Sequence, residues 1–232
     1  MDDTDHAPAV DAFGAAWLRG VPSPLVDRLR ALSSRMTLGD KQIVYAQGAE
    51  QTFLWGVARG KVRMQVALSE LEPTLGHIHH PGGWLGESEP LLGIAGIVEM
   101  RAVGPTVVER IPYARFRAIA NAHPELWEAL ARLTSMNQLL AMNAANDLAL
   151  RTGRKRLAAA ILRLSGHRGV FQGSAATSVL GISQQEIAGL ANLARPKVLE
   201  HLKALESENL IRLAYGAITI RDAAGLEAVL SE

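Results

Sequence analysis

The sequence predicts an α+β chain: a roll of short strands first, a long helix next, and a helix-turn-helix with a strand hairpin last. The first observation is a stretch of short β-branched or apolar segments over 37–112, punctuated by Gly39, Gly48, Gly56, Gly60, Gly76, Gly82, Gly83 and Gly86, the pattern of a roll or barrel. The second is the run from Glu125 to Leu150, which contains neither glycine nor proline and is long for a helix of a small globular protein. The third is Ser183-Gln-Gln-Glu186, a capping hydroxyl followed three residues later by a carboxylate, which starts a helix by satisfying orphan N–H groups of its first turn.

Each element follows in order. A helical start over Pro24 to Ser34 precedes the strand region. Within that region Val62, Met64 and Val66 alternate with Lys61, Arg63 and Gln65, the period-two signature of a half-buried strand. From Pro112 the pattern turns helical and breaks around Asn121 to Pro124. In the long helix, Leu126, Leu130, Leu133, Asn137, Leu140, Ala144 and Asp147 recur at alternating steps of four and three. That spacing predicts a two-stranded seam with Asn137 fixing its register, and makes Leu126, Leu130, Leu133, Asn137, Leu140 and Ala144 the expected dimer interface; the same stripe could instead lie on its own domain.

Thr152 and Gly153 break this helix, Arg154-Lys-Arg156 opens another that runs to about Ser165, and Gly166 to Gly181 is a loop-rich link. After Ser183 a helix runs through Ile187 and Leu190 to a turn at Ala191-Asn-Leu193, and a second helix carries Pro196 in its first turn, where a missing donor costs nothing. Val198, Leu199, Leu202 and Leu205 form its buried stripe. Arg195, Pro196, Lys197, Glu200, His201 and Lys203 are left at the tip and on the outer arc, with Ser183 and Gln184 at the start of the preceding helix. In this motif the second helix enters the major groove of duplex DNA, so these eight residues are the candidate DNA-binding set. Arginine at the tip can donate two bonds to guanine, lysines hold phosphate, and a carboxylate at Glu200 can only accept from cytosine or pair with a neighbour. Leu210 to Ile220, turning at Tyr215-Gly216, supplies the wing.

Composition sets limits. The net charge is +1, yet residues 1–150 carry 13 basic and 16 acidic side chains whereas residues 151–232 carry 11 and 7, so the basic end is the nucleic-acid side. The chain has no cysteine, which excludes disulfides, thiolate catalysis and cysteine-ligated iron–sulfur clusters. No apolar run reaches the ~18 residues of a membrane span and the acidic first residues lack the features of a signal peptide; a cytoplasmic protein with no membrane partner is expected. With no glycine-rich phosphate loop, nucleophile elbow or paired carboxylates, no enzyme is expected. His77, His79 and His80 crowd one strand, and the first two of the three share a face, making His77 and His79 the weak candidates for metal or haem ligation.

The stretches Gly39 to Gly48, Gly60-Lys-Val62, Gly83-Trp-Leu-Gly-Glu87, Ile111-Pro-Tyr-Ala-Arg-Phe116, His123-Pro-Glu125, Arg156-Leu-Ala158 and Ser183 to Leu210 together resemble the catabolite-activator and fumarate-nitrate-regulator (Crp/Fnr) superfamily of transcription regulators, over about Leu25 to Leu230. The resemblance implies three parts: a cyclic-nucleotide-binding-like β-roll that senses an effector over 1–121, a dimerisation helix over 122–150, and a winged helix-turn-helix over 151–232. It also implies a homodimer on a two-fold symmetric operator in double-stranded DNA, acting with RNA polymerase. Its effector pocket would fall on Gly86, Glu87, Ser88, Ile97, Arg101 and Met142. The departures matter. Gly96 and Ile97 stand where an Arg-Ser or Arg-Thr pair would neutralise a cyclic phosphate, Ala141 and Met142 stand where hydroxyls would meet the base, and Arg101 is the nearest cation. Cyclic AMP is therefore not expected and the effector is left unknown. The alternatives are an effector-independent regulator whose vestigial pocket is filled by Leu91, Leu92, Ile94 and Ile97, or a haem or metal sensor using His77 to His80. On the recognition helix only Arg195 matches the family pattern, while Pro196 and Glu200 depart from it, implying a different half-site.

Overall fold

The computed structural model describes residues 10–66, 74–168 and 179–232. Contacts group into two compact units, Met1–Leu71 with Ile78–Gln138 and Glu72–His77 with Leu139–Glu232.

The first unit opens with two short 3-10 turns and α1 (Ser23–Leu32), led in by Pro22 with Pro24 in its first turn. The strands are β1 (Ser34–Leu38), β2 (Ile43–Tyr45), β3 (Phe53–Val66), β4 (Thr74–His79), β5 (Trp84–Leu85) and β6 (Val98–Pro112). They form one sheet in the order β1-β6-β3-β4, with β2 against β6 and β5 against β3. The long antiparallel ladder from Phe53↔Pro112 to Val66↔Val98 shifts register twice, between Val57 and Lys61, and such irregularities let a strand pair bend into a roll. Of the expected alternation only Val62 is fully buried, against Ala102, while Met64 and Val66 are half-buried like Lys61, Arg63 and Gln65. Inside the roll lie Leu38, Val44, Tyr45, Trp55, Val57, Val62, Leu85, Met100, Ala102 and Val108.

A second core lies under the helices α3 (Tyr113–Ala120) and the first half of α4 (Glu125–Leu148). Trp84 sits in it, edge-on to Phe13 and Trp17 at 5.4 Å each, and its ring N–H donates to the Ala12 carbonyl at 2.7 Å. A Cβ on Gly56 would come within 2.5 Å of the Trp84 ring; glycine is required there by close approach.

One expectation is overturned in this core. Leu126, Leu130 and Leu133 are at most 2% exposed and pack in this unit with Leu25, Leu29, Phe116 and Trp17. They are not a seam facing a partner. Asn137 also turns inward, its amide donating to the Trp84 carbonyl at 3.2 Å and to Glu87 at 2.9 Å. Leu140 and Ala144 are half-buried. A four-three apolar stripe is what a helix needs to cover its own domain as well as to pair with another, and here the domain claims it. The exposed face of α4 is instead Ala131, Ser135, Gln138, Met142 and Ala145.

The second unit contains α5 (Gly153–Leu164), β7 (Val179–Leu180), α6 (Gln184–Leu190), α7 (Arg195–Ser207), β8 (Ile211–Ala214), β9 (Ala217–Ile220) and α8 (Ala223–Ser231). The Thr152 hydroxyl caps α5 by accepting from the Lys155 N–H. The strands form an antiparallel sheet in the order β7-β9-β8. Sequence reading finds the hairpin but neither β7 nor α8, and most of the expected link over 166–181 lies outside the described residues.

Candidate nucleic-acid interface and effector region

At the start of α6 the capping box is complete: the Ser183 hydroxyl accepts from the Glu186 N–H at 3.3 Å, and the Glu186 carboxylate accepts from the Ser183 N–H at 2.8 Å. The turn to α7 passes through Asn192 at φ 48°, a left-handed conformation that asparagine tolerates better than most side chains. A residue outside the motif holds this turn. Arg156 of α5 donates to the Ala191 carbonyl at 2.8 Å and to the Leu150 carbonyl at 3.1 Å, satisfying an acceptor at the end of α6. Arg154 makes a bidentate pair with Glu208 beyond the end of α7, at 2.7 and 2.6 Å.

In α7, Val198, Leu202 and Leu205 are fully buried and Leu199 is half-buried. Arg195, Pro196, Lys197, Glu200 and Lys203 are exposed together. The buried stripe fixes which arc faces outward, so the exposed arc follows from the packing. His201 is only half-exposed and its Nε2 would be 3.0 Å from a Cβ on Gly153; this places it at the edge of the arc, against α5. Gln184 is half-buried and Ser183 exposed, its hydroxyl engaged in the cap. Tyr215, at the tip of the β8–β9 hairpin, is completely exposed, which sequence reading passes over because it treats the dipeptide only as a turn.

The carboxylate of Glu200 finds its partner locally: Lys197 donates to it at 2.7 Å, and that bond holds the Glu200 carboxyl below its ordinary range. The pair is exposed, so it adds little stability. Its effect falls on Lys197, whose charge is partly neutralised. Glu200→Ala is expected to release that lysine for phosphate, tightening binding to any duplex and steepening the salt dependence by about one unit in log–log slope. Filter binding across a salt series reads this, and an unchanged slope would mean that Lys197 makes no phosphate contact.

The residues expected to form the effector pocket are placed unevenly. Gly86 is in the left-handed region at φ 85°, where a side chain would also collide with Trp55. Glu87 is 2% exposed and accepts from Asn137 and from the Ser88 hydroxyl at 3.2 Å. Burial raises its carboxyl above the ordinary value, the Asn137 bond opposing that shift. Glu89 is buried too, and Tyr45 is raised well above its ordinary value, first by its own burial and then by the Glu89 and Glu87 charges. Arg101 is occupied, its guanidinium donating to Glu99 and to the Lys41 carbonyl. Ile97 and Met142 are exposed at 41% and 57%.

The idea of a pocket filled by its own side chains is corrected here. Leu91, Leu92, Ile94 and Ile97 are all more than 40% exposed, because the short helix α2 (Ser88–Leu92) and the loop after it turn them toward solvent. Burial, then the neighbouring His80, pushes His79 down to about 4. No group of three His, Cys, Asp or Glu side chains able to hold a metal occurs among the described residues. No described helix is long and apolar enough to cross a membrane.

A helix-turn-helix with a hairpin wing and a cationic outer arc, carried in one chain with a glycine-punctuated β-roll, defines a DNA-binding transcription regulator. Residues 155–229 match the Crp-like helix-turn-helix domain. Over 171 residues the chain is 29% identical to the transcriptional regulator SdrP of Thermus thermophilus, covering 74% of this chain and 80% of that one. It is 28% identical to the cyclic AMP receptor protein of the same organism, covering 93% and 97%. Among solved structures, a Crp/Fnr-family transcriptional regulator of Thermus thermophilus superposes with a TM-score of 0.65 at 25% identity, over 86% of this chain and 99% of that one. The chain carries a Crp-like helix-turn-helix domain and is similar over most of its length to Crp/Fnr-family transcription regulators, which makes it a transcription regulator with a DNA-binding helix-turn-helix.

Proposed function

We propose that the chain works as a homodimer that reads a two-fold symmetric operator, with its DNA affinity set by a small effector other than cyclic AMP. The observation that carries the DNA half of this reading is the exposed arc of α7, with Arg195 at its N-terminal tip over a fully buried Val198–Leu202–Leu205 stripe. Arg195 reads a base, while Lys197 and Lys203 hold phosphate. The dimer forms through the exposed face of α4, where Ala131, Ser135, Gln138, Met142 and Ala145 again recur at steps of four and three, the spacing of a two-stranded seam. Residues 1–121 sense, 122–150 pair and 151–232 bind DNA, with RNA polymerase as the downstream partner.

The effector half rests on charge. A cyclic phosphate needs a free cation, and Arg101 is held by Glu99 and Lys41 while Glu87 is already engaged by Asn137. A buried, unpaired phosphate would cost several kcal/mol, on the order of three decades of affinity.

The test is selection of bound fragments from random-sequence duplex DNA by the ligand-free protein. A symmetric site with half-sites one helical turn apart is expected. Arg195→Ala should then relax preference at one base pair per half-site and cost about 1–3 kcal/mol. A variant that keeps the full preference would remove Arg195 from the readout; no enrichment by the ligand-free protein would mean that an effector is required for binding, and no enrichment under any condition would overturn the operator reading.

A further inference from the structure

The first unit contains a cavity of about 620 Å³ that the DNA-binding reading does not use. It lies between the loop leading into β3, the end of α2 and the start of α3, and its walls include Gln51, Phe53, Glu89, Tyr113 and Arg117. Backbone bonds fix those walls: Gly48 and Gly96 are joined to the 46–51 loop segment by Gly48 N–H to Gly96 C=O at 2.7 Å and Gly96 N–H to Ala49 C=O at 2.8 Å, and the Tyr113 N–H donates to the Thr52 carbonyl at 2.8 Å. A site held this way is formed before any ligand arrives, and its volume falls in the range of small-molecule pockets.

Its polar groups are unusual for an interior. Gln51 is 6% exposed, yet its side-chain Nε2 has no hydrogen-bond partner among the described residues. Glu89 is 4% exposed and forms part of the cavity wall. A buried carboxylate favours a cation beside it, which a bound group of the right kind would supply. Arg117 is exposed at the same cavity, and Phe53 and Tyr113 give it aromatic wall.

We propose that this cavity is a binding site for a free α-amino acid with an apolar or aromatic side chain. The ammonium group of the ligand pairs with the Glu89 carboxylate. Its carboxylate faces the Arg117 guanidinium. Its side chain lies on Phe53 and Tyr113. A phosphate ester does not fit this arrangement, because the buried charge is negative, and a hydrocarbon would leave that carboxylate without a cation.

Titration calorimetry of the full chain with L-phenylalanine, followed by the other proteinogenic amino acids, tests the proposal without any DNA, so its outcome is separate from that of operator selection. Saturable binding in the micromolar to low-millimolar range is expected, and N-acetyl-L-phenylalanine, which lacks the ammonium charge, should bind at least about tenfold more weakly. Glu89→Gln should lose the preference for the free amine. Arg117→Gln, at an exposed position where folding is not at stake, should weaken the free amino acid about three- to tenfold and leave its amide unaffected. No heat from any amino acid at about 10 mM would overturn the proposal, as would equal binding of the acetylated form.

Discussion

Asp147→Ala is expected to destabilise the second unit by about 3–5 kcal/mol, the cost of leaving a buried charge without its partner. Asp147 stands one residue before the end of α4, where a carboxylate faces the negative end of the helix dipole and is locally unfavourable. It is nevertheless 3% exposed, because Arg163 donates to its Oδ2 at 3.0 Å and Arg168 to its Oδ1 at 3.0 Å. Arg163 is itself 3% exposed, and its burial lowers the guanidinium's affinity for its proton against the pull of Asp147. Removing the aspartate strands that charge in the interior. Denaturant unfolding of the variant reads the loss, with a lower midpoint at similar slope. The double variant Asp147→Leu with Arg163→Met should recover most of it, since matched apolar groups often replace a buried pair at no net cost. A loss under about 1 kcal/mol for Asp147→Ala would show that water reaches the pair.

Sequence reading works where a signal is local. Ser183 with Glu186, and Pro196, are local signals of the first helical turn, and both mark helix starts in the structure; Thr152, read only as a break, caps α5 in the same local way. The strand pattern at 60–66 is local too. Asp222 capping the Gly225 N–H at the start of α8 is the same kind of signal and could have revealed that helix. What the sequence does not carry is the identity of the surface that a stripe faces. Leu126, Leu130 and Leu133 have the spacing of a seam, but the Trp17, Leu25, Leu29 and Phe116 side chains that meet them come from other elements of the unit. The Asn137–Glu87 bond, the Arg156 staple on Ala191 and the Gln51–Glu89 cavity all join residues at least 35 positions apart. Pairings at that separation are set by tertiary packing and leave no periodic trace.

Leu130→Ala separates the two meanings of that stripe. Leu130 is 1% exposed within the first unit's core, so truncating it should cost about 2–5 kcal/mol through lost burial and a residual cavity, with the folded variant still pairing as the parent does. Ala145→Glu, on the exposed face of α4, should do the reverse: it leaves the unfolding free energy of each unit nearly unchanged, as exposed substitutions usually do, but places two like charges across a helix pair and weakens dimerisation. On the proposed two-fold symmetric operator, specific DNA binding should fall with the dimer. Sedimentation velocity and denaturant unfolding on both variants decide the matter. If Leu130→Ala dissociates the dimer at unchanged stability, the stripe faces a partner after all. If it loses stability while Ala145→Glu loses the dimer, the helix divides its two faces between the core of its own domain and a second copy of the chain.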